Sequence, residues 1–239
     1  MRLAFSGLRT SAPLATLCQV LCTMSTAGGQ RMGSATSGDV GGRPVLGVVV
    51  ASTRPGRVGP AVAAWFVREV ERHATFSVDL VDLAEVNLPF LDEPNHPRAR
   101  RYTKDHTIAW SRRVDRIDAF ALVVPEYNYA MAATLKNAVD YLHWEWQYKP
   151  AGFVSYGGVS AGTRGVQMAK EVLTTLKVMP LPEAVSIPFV GQFLDDDGNV
   201  QPNKVMDDAA SAMLDELARW EGALRALREG VRATAPAAR

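Results

Sequence analysis

Cysteine is almost missing from this chain. Only Cys18 and Cys22 occur, both near the N-terminus, with neither a Cys-x-x-Cys nor a nearby histidine to make a zinc site. The sequence beyond them offers no thiol for catalysis and no internal disulfide, which fits a reducing cytoplasm. A surplus of either charge is missing too. Twenty-six Lys and Arg face 25 Asp and Glu, a formal net charge of +1. That excludes the broad basic field that nucleic-acid binding requires. No apolar run reaches the ~20 residues of a membrane-spanning helix, so no membrane partner is expected. Neither Gly-x-x-x-x-Gly-Lys-Ser/Thr nor Gly-x-Gly-x-x-Gly occurs, which removes the nucleoside-triphosphate P-loop and the standard dinucleotide fingerprint. The chain is 47% hydrophobic and 21% charged over 239 residues, enough for one α/β domain with a tail or two.

Acidic residues are absent before Asp39, and Arg2, Arg9 and Arg31 are the only charges there. Residues 1–43, rich in Ser, Thr, Gly and Ala, read as a disordered leader or as a start assigned too early, with Met24 or Met32 as the true one. A targeting segment is the competing reading, since Leu14–Val20 is a weak apolar centre and Ala27 stands near a cleavage position. The domain is expected over 44–230, and 231–239 reads as a loose tail.

The stretch Val45–Pro60 organises the rest of the chain. Val45, Leu46, Val48, Val49 and Val50 form a run suited to a strand buried on both faces. Pro60 suits the first turn of a helix, and Val62, Phe66, Val67 and Val70 come after it at helical spacing. A helix starting just after a parallel strand aims unpaired N–H groups at the turn between them. Ser52 and Thr53 add hydroxyl donors, and Arg54 and Arg57 add cationic forks suited to phosphate. The stretch therefore reads as a phosphate loop, or more plainly as a strand–loop–helix connection with two solvated arginines.

Further strands are expected at 76–83, 119–124 and 152–156 and within 180–190, and helices at about 60–74, 105–117, 132–146, 163–177 and 204–228. The alternation implies an α/β fold, a five-stranded parallel sheet with helices on both faces, in the flavodoxin-like order 2-1-3-4-5. In such a sheet the ligand lies beyond the C-terminal ends of the strands. The loops after strands 1, 3 and 4 open onto that one edge. The third strand ends in Pro125-Glu126-Tyr127-Asn128-Tyr129, which offers amides, polar groups and aromatic faces. The fourth ends in Tyr156-Gly157-Gly158, where a flat ring could approach the backbone. A ligand with a phosphate at one end and a planar heteroaromatic ring at the other matches all three, and FMN is such a ligand.

No metal cluster is readable. His96 and His106 read as surface residues, and His143 as a polar or capping group. Asp195-Asp-Asp-Gly198 lacks the spacing of a calcium loop. Tyr141–Tyr148 is unusually aromatic, as either core packing or an oligomer interface.

Ser52–Arg57, Pro125–Tyr129, Leu135–Leu142 and Ser155–Gly158, in that order, resemble the NADPH-dependent FMN reductase family over roughly residues 45–190. The resemblance implies bound FMN, NADPH or NADH as donor, a small acceptor such as a flavin or quinone, and a homodimer or homotetramer. It assigns Ser52, Arg54, Arg57, Val58 and Gly59 to the phosphate, Pro125, Glu126, Tyr127 and Asn128 to one side of the ring, and Tyr156, Gly157 and Gly158 to the other. No side chain is expected to be catalytic, because hydride chemistry belongs to the flavin N5. Glu126 and Asn128 read as architects of their loop. The chain departs from many relatives at Ala51-Ser52, where Gly-Ser is common, and at Tyr129–Ala132. A non-catalytic FMN carrier or sensor is the alternative, and so is a flavin-free module for another phosphorylated ligand.

Overall fold

The β-branched run forms the first strand, β1 (Val45–Val50), in a computed structural model that describes residues 42–237. The readings of 1–41, including both cysteines, lie outside the described residues. Four more strands complete the sheet: β2 (Ser77–Asp82), β3 (Ala119–Pro125), β4 (Pro150–Tyr156) and β5 (Met179–Ile187). All pair in parallel, in the order β2-β1-β3-β4-β5. Pro180 and Pro182 are tolerated because β5 is an edge strand, where a missing donor costs little.

Among the described residues six α-helices flank the sheet: α1 (Gly59–His73), α2 (Leu83–Val86), α3 (Asp105–Arg116), α4 (Ala133–Asp140), α5 (Thr163–Thr174) and α6 (Lys204–Thr234). Strand alternation divides the core between the two faces. Leu46, Val48 and Val50 face α1 and α6 with Val123, Val154, Met213 and Leu217. Val49 and Ala51 face the other way with Leu122, Phe153, Trp110, Trp146 and Leu173. No helix among the described residues is long and apolar enough to cross a membrane.

Two expectations need correction. The helix placed at 132–146 ends at Asp140, and Trp144–Trp146 is a separate short 3-10 turn. The break lets Trp146 drop into the core, where its ring packs against Phe120 and Trp110. Tyr141, Leu142, Glu145 and Gln147 are buried as well, so most of the aromatic segment is core. The second correction concerns the end of the chain. α6 continues past Gly230 to Thr234, and Arg232 pairs there with Asp115 and Asp118. Residues 231–234 are thus helical and tied down.

Candidate functional site

The loop after β1 leaves the sheet at Ala51, whose amide still donates to Val123 O at 3.0 Å. Ser52 is fully buried. Thr53 and Arg54 are exposed, and the Arg54 guanidinium has no partner among the described residues. α1 then begins without a side-chain cap and without an acidic residue in its first turn. Among the described residues nothing accepts from the amides of Thr53, Arg54, Val58 or Gly59. A run of free donors at the positive end of a helix dipole fits an anion such as the FMN phosphate.

Arg57 behaves differently from the expectation. Its Nη1 and Nη2 donate to the two carboxylate oxygens of Asp82, both at 2.6 Å, and Nη1 also donates to Ser52 O. The register explains this, because Asp82 lies opposite Val50 at the end of β2. Hydrogen bonds from Arg57, followed by the Ala84 amide, hold the Asp82 carboxyl below its usual range despite burial. Arg57 is therefore a strut that shapes the loop, and Arg54 is the arginine left open.

Tyr156 is also placed differently. Strand alternation turns it to the α1 face, where its hydroxyl donates to Ser52 Oγ at 3.0 Å. It supports the loop after β1 from below, with its side chain turned toward Ser52. Gly59 makes that packing possible: a Cβ there would lie 2.3 Å from Ser52 Oγ and 2.8 Å from the Tyr156 hydroxyl.

The loop after β3 is a two-residue turn closed by reciprocal bonds between Tyr127 and Ala130, at 3.1 and 3.0 Å. Asn128 and Tyr129 both have positive φ, 50° and 67°. This is the geometry of a type I′ turn, for which asparagine is well suited at the first position. Tyr127 and Tyr129 both reach the surface. Glu126 points toward the neighbouring loop. Its carboxylate accepts from Ser160 Oγ (3.1 Å), Arg164 N (3.0 Å) and Arg164 Nη1 (2.7 Å). Burial pushes the Glu126 pKa up, but these bonds outweigh it and the net direction is down. Glu126 thus caps α5 and joins the two loops, as an architect would. Beyond the turn, Thr134 Oγ1 bonds Ala51 O and fixes the start of α4 against the end of β1.

The loop after β4 is tied to the chain beyond β5. Gly157 O accepts from Val190 N and Gly158 O from Phe189 N. A Cβ on Gly158 would meet nothing within 4 Å, so open space lies beside its backbone. The Pro125–Asn128 and Gly157–Gly158 segments and the loop after β1 all lie at the C-terminal edge of the sheet.

Sequence reasoning missed Asp82, Ser160, Thr134 and Arg164. Arg164 left a signal: a cation in the first turn of a helix opposes the dipole and calls for a nearby carboxylate. Elsewhere, Asp195 accepts from the amides of Asp197 and Asn199 and from Gln201, so it organises its own turn.

Residues 44–192 match the model of a family described as NADPH-dependent FMN reductase. The chain is 38% identical over 149 residues to an NAD(P)H-dependent FMN reductase of Schizosaccharomyces pombe, covering 61% of this chain and 74% of that one. It is 34% identical over 155 residues to an NAD(P)H-dependent FMN reductase of Saccharomyces cerevisiae, covering 60% of this chain and 81% of that one. Among solved structures, the flavoenzyme NAD(P)H:(acceptor) oxidoreductase FerB from Paracoccus denitrificans matches with a TM-score of 0.60 at 19% identity. That match covers 75% of this chain and 97% of the other, and is a likeness of fold. With a family match over more than half its length, on a sheet of flavodoxin-like order, the chain belongs to the NADPH-dependent FMN reductase family, oxidoreductases that use FMN and a reduced nicotinamide donor.

Proposed function

We propose that the protein passes a hydride from NADPH or NADH to FMN held at the C-terminal edge of the sheet, and from there to a flavin, a quinone or a similar small acceptor. One observation carries this reading: the amides of Thr53, Arg54, Val58 and Gly59 find no acceptor among the described residues in the loop that leads into an uncapped helix start, at the same sheet edge as two further loops with exposed backbone. Ser52, Thr53, Arg54, Val58 and Gly59 would hold the phosphate. Pro125, Glu126, Tyr127, Asn128, Gly157 and Gly158 would hold the ring. Arg57 and Tyr156 would act from behind, by shaping the first loop. FMN, when bound, supplies the hydride-accepting atom, and the chain's task is to bind, orient and shield it.

An oligomer belongs to the same proposal. Phe90 is 85% exposed. Next to it Leu91, Val139, Leu142, Val172 and Leu176 line a groove of about 550 Å³, outside the three loops. A projecting ring beside a groove that mixes these apolar residues with Lys136, Asp140 and Glu171 suits a self-complementary contact. A monomer by light scattering at micromolar concentration would remove it.

The reading is tested by the visible spectrum of purified protein, followed by NADPH or NADH with FMN or a quinone. A yellow protein that oxidises the nucleotide is the expected result. A yellow protein without turnover is a carrier, and a colourless one that binds no added FMN refutes both.

A further inference from the structure

We propose that Arg164 is a positioning residue for the ring end of the site, where it balances the charge of Glu126 and braces Tyr129. This rests on the proposed FMN site. Arg164 stands in the first turn of α5, against the helix dipole, and its side chain is 44% exposed. Three contacts hold it there. Its Nη1 donates to one oxygen of Glu126 and its backbone amide to the other. Its guanidinium lies 4.0 Å from the centre of the Tyr129 ring. Glu126 is only 7% exposed, so its charge is poorly served by water and depends on Arg164 for compensation. Tyr129 is 71% exposed, so the stack fills no core. It instead steadies a residue held at positive φ, an uncommon conformation for tyrosine. One side chain thus ties together the loops after β3 and β4, the two that would flank the ring.

The charge pairing has a consequence for chemistry. Transfer of a hydride from the reduced nicotinamide leaves the oxidised nicotinamide and adds one negative charge at the ring. An uncompensated carboxylate at Glu126 opposes that charge, and Arg164 cancels it. Arg164 therefore raises the affinity for reduced FMN relative to oxidised FMN.

The test is FMN titration of apoprotein by fluorescence, together with the two-electron midpoint potential by dye equilibration. The variants are Arg164→Ala, Arg164→Lys, Glu126→Gln and the double Glu126→Gln/Arg164→Ala. Arg164→Ala should lower the ratio of reduced to oxidised affinity about tenfold, a fall of about 30 mV. Arg164→Lys, which keeps the charge, should hold the ratio within about twofold of wild type. The double variant should return it to that range. An unchanged ratio in Arg164→Ala, or no recovery in the double variant, overturns the proposal even if oxidised FMN binds more weakly. Should Arg164→Ala not fold, Glu126→Gln decides: its ratio should rise, and an unchanged value overturns the proposal. Wild-type protein that binds no FMN would instead defeat the underlying site reading.

Discussion

The Tyr156 hydroxyl reaches Ser52 Oγ at 3.0 Å and ties the end of β4 to the loop after β1, a strand that is not its neighbour in the sheet. Both residues are buried, and burial pushes the Tyr156 pKa up to about 12, so the phenol stays a neutral donor at physiological pH. Tyr156→Phe removes this bond and leaves the buried Ser52 hydroxyl without it. The expected cost is about 1 kcal/mol of stability, with severalfold weaker FMN binding. A urea midpoint and a fluorescence titration measure the two effects; unchanged FMN affinity would mean that the bond does not shape the phosphate loop.

The two arginines of the first loop should separate in their effects. Arg54 is exposed and free, so Arg54→Ala should weaken FMN binding about tenfold or more while the urea midpoint barely moves. Arg57 is bound to Asp82 and Ser52, so Arg57→Ala should lower stability by about 1–3 kcal/mol and FMN affinity only as a consequence. Equal effects of the two variants on both measurements would contradict the division.

Asn128 sits at φ 50° in a turn that needs left-handed residues. Asn128→Ala should cost about 1 kcal/mol and loosen FMN binding, because alanine tolerates that region less well. Asn128→Gly should keep the turn and most of the stability. Full FMN affinity and turnover in Asn128→Ala would remove the residue from the site's architecture.

Lys149 is completely buried at the start of β4, where its Nζ donates to Val114 O at 2.6 Å. Burial, aided by the charge of Arg232, lowers its pKa to about 7. The unfolded chain holds this proton up to about pH 10.5, so between about pH 7 and 10.5 unfolding takes up a proton. Stability should therefore rise with pH across that window, by up to about 1.4 kcal/mol per unit. Urea midpoints at pH 6, 8 and 9.5 should climb in wild type and climb less in Lys149→Met. Parallel profiles would show that Lys149 keeps its proton in the folded state.

The fold was legible because its signals are local. The β-branched run of β1, the Pro60 helix start and the glycines after β4 each announce themselves within a few residues, and the strand order is the one that β-α alternation favours. The site was legible only as loops. Arg54 and Arg57 look alike in sequence; what distinguishes them is Asp82, which is distant along the chain and comes near only through the pairing of β1 with β2. Tyr156 was recognisable as a loop residue, but its side is set by strand parity: it shares a face with Val154, toward Ser52. The end of α4 was invisible because Tyr141–Trp146 keeps a helix-compatible composition. Only the room beneath Trp110 and above Phe120 draws Trp146 inward.

α6 is made after all five strands, yet it supplies Met206, Ala210, Met213, Leu214 and Leu217 to the core on one face of the sheet. Met213 even reaches into the space left open by Gly152 on β4. During synthesis, that face stays uncovered by α6 until the helix emerges. The strands can pair earlier, but the face seals only with the last helix. A ribosome stalled near residue 200 would display an apolar sheet face, the kind of surface that chaperones hold and that aggregates when they do not.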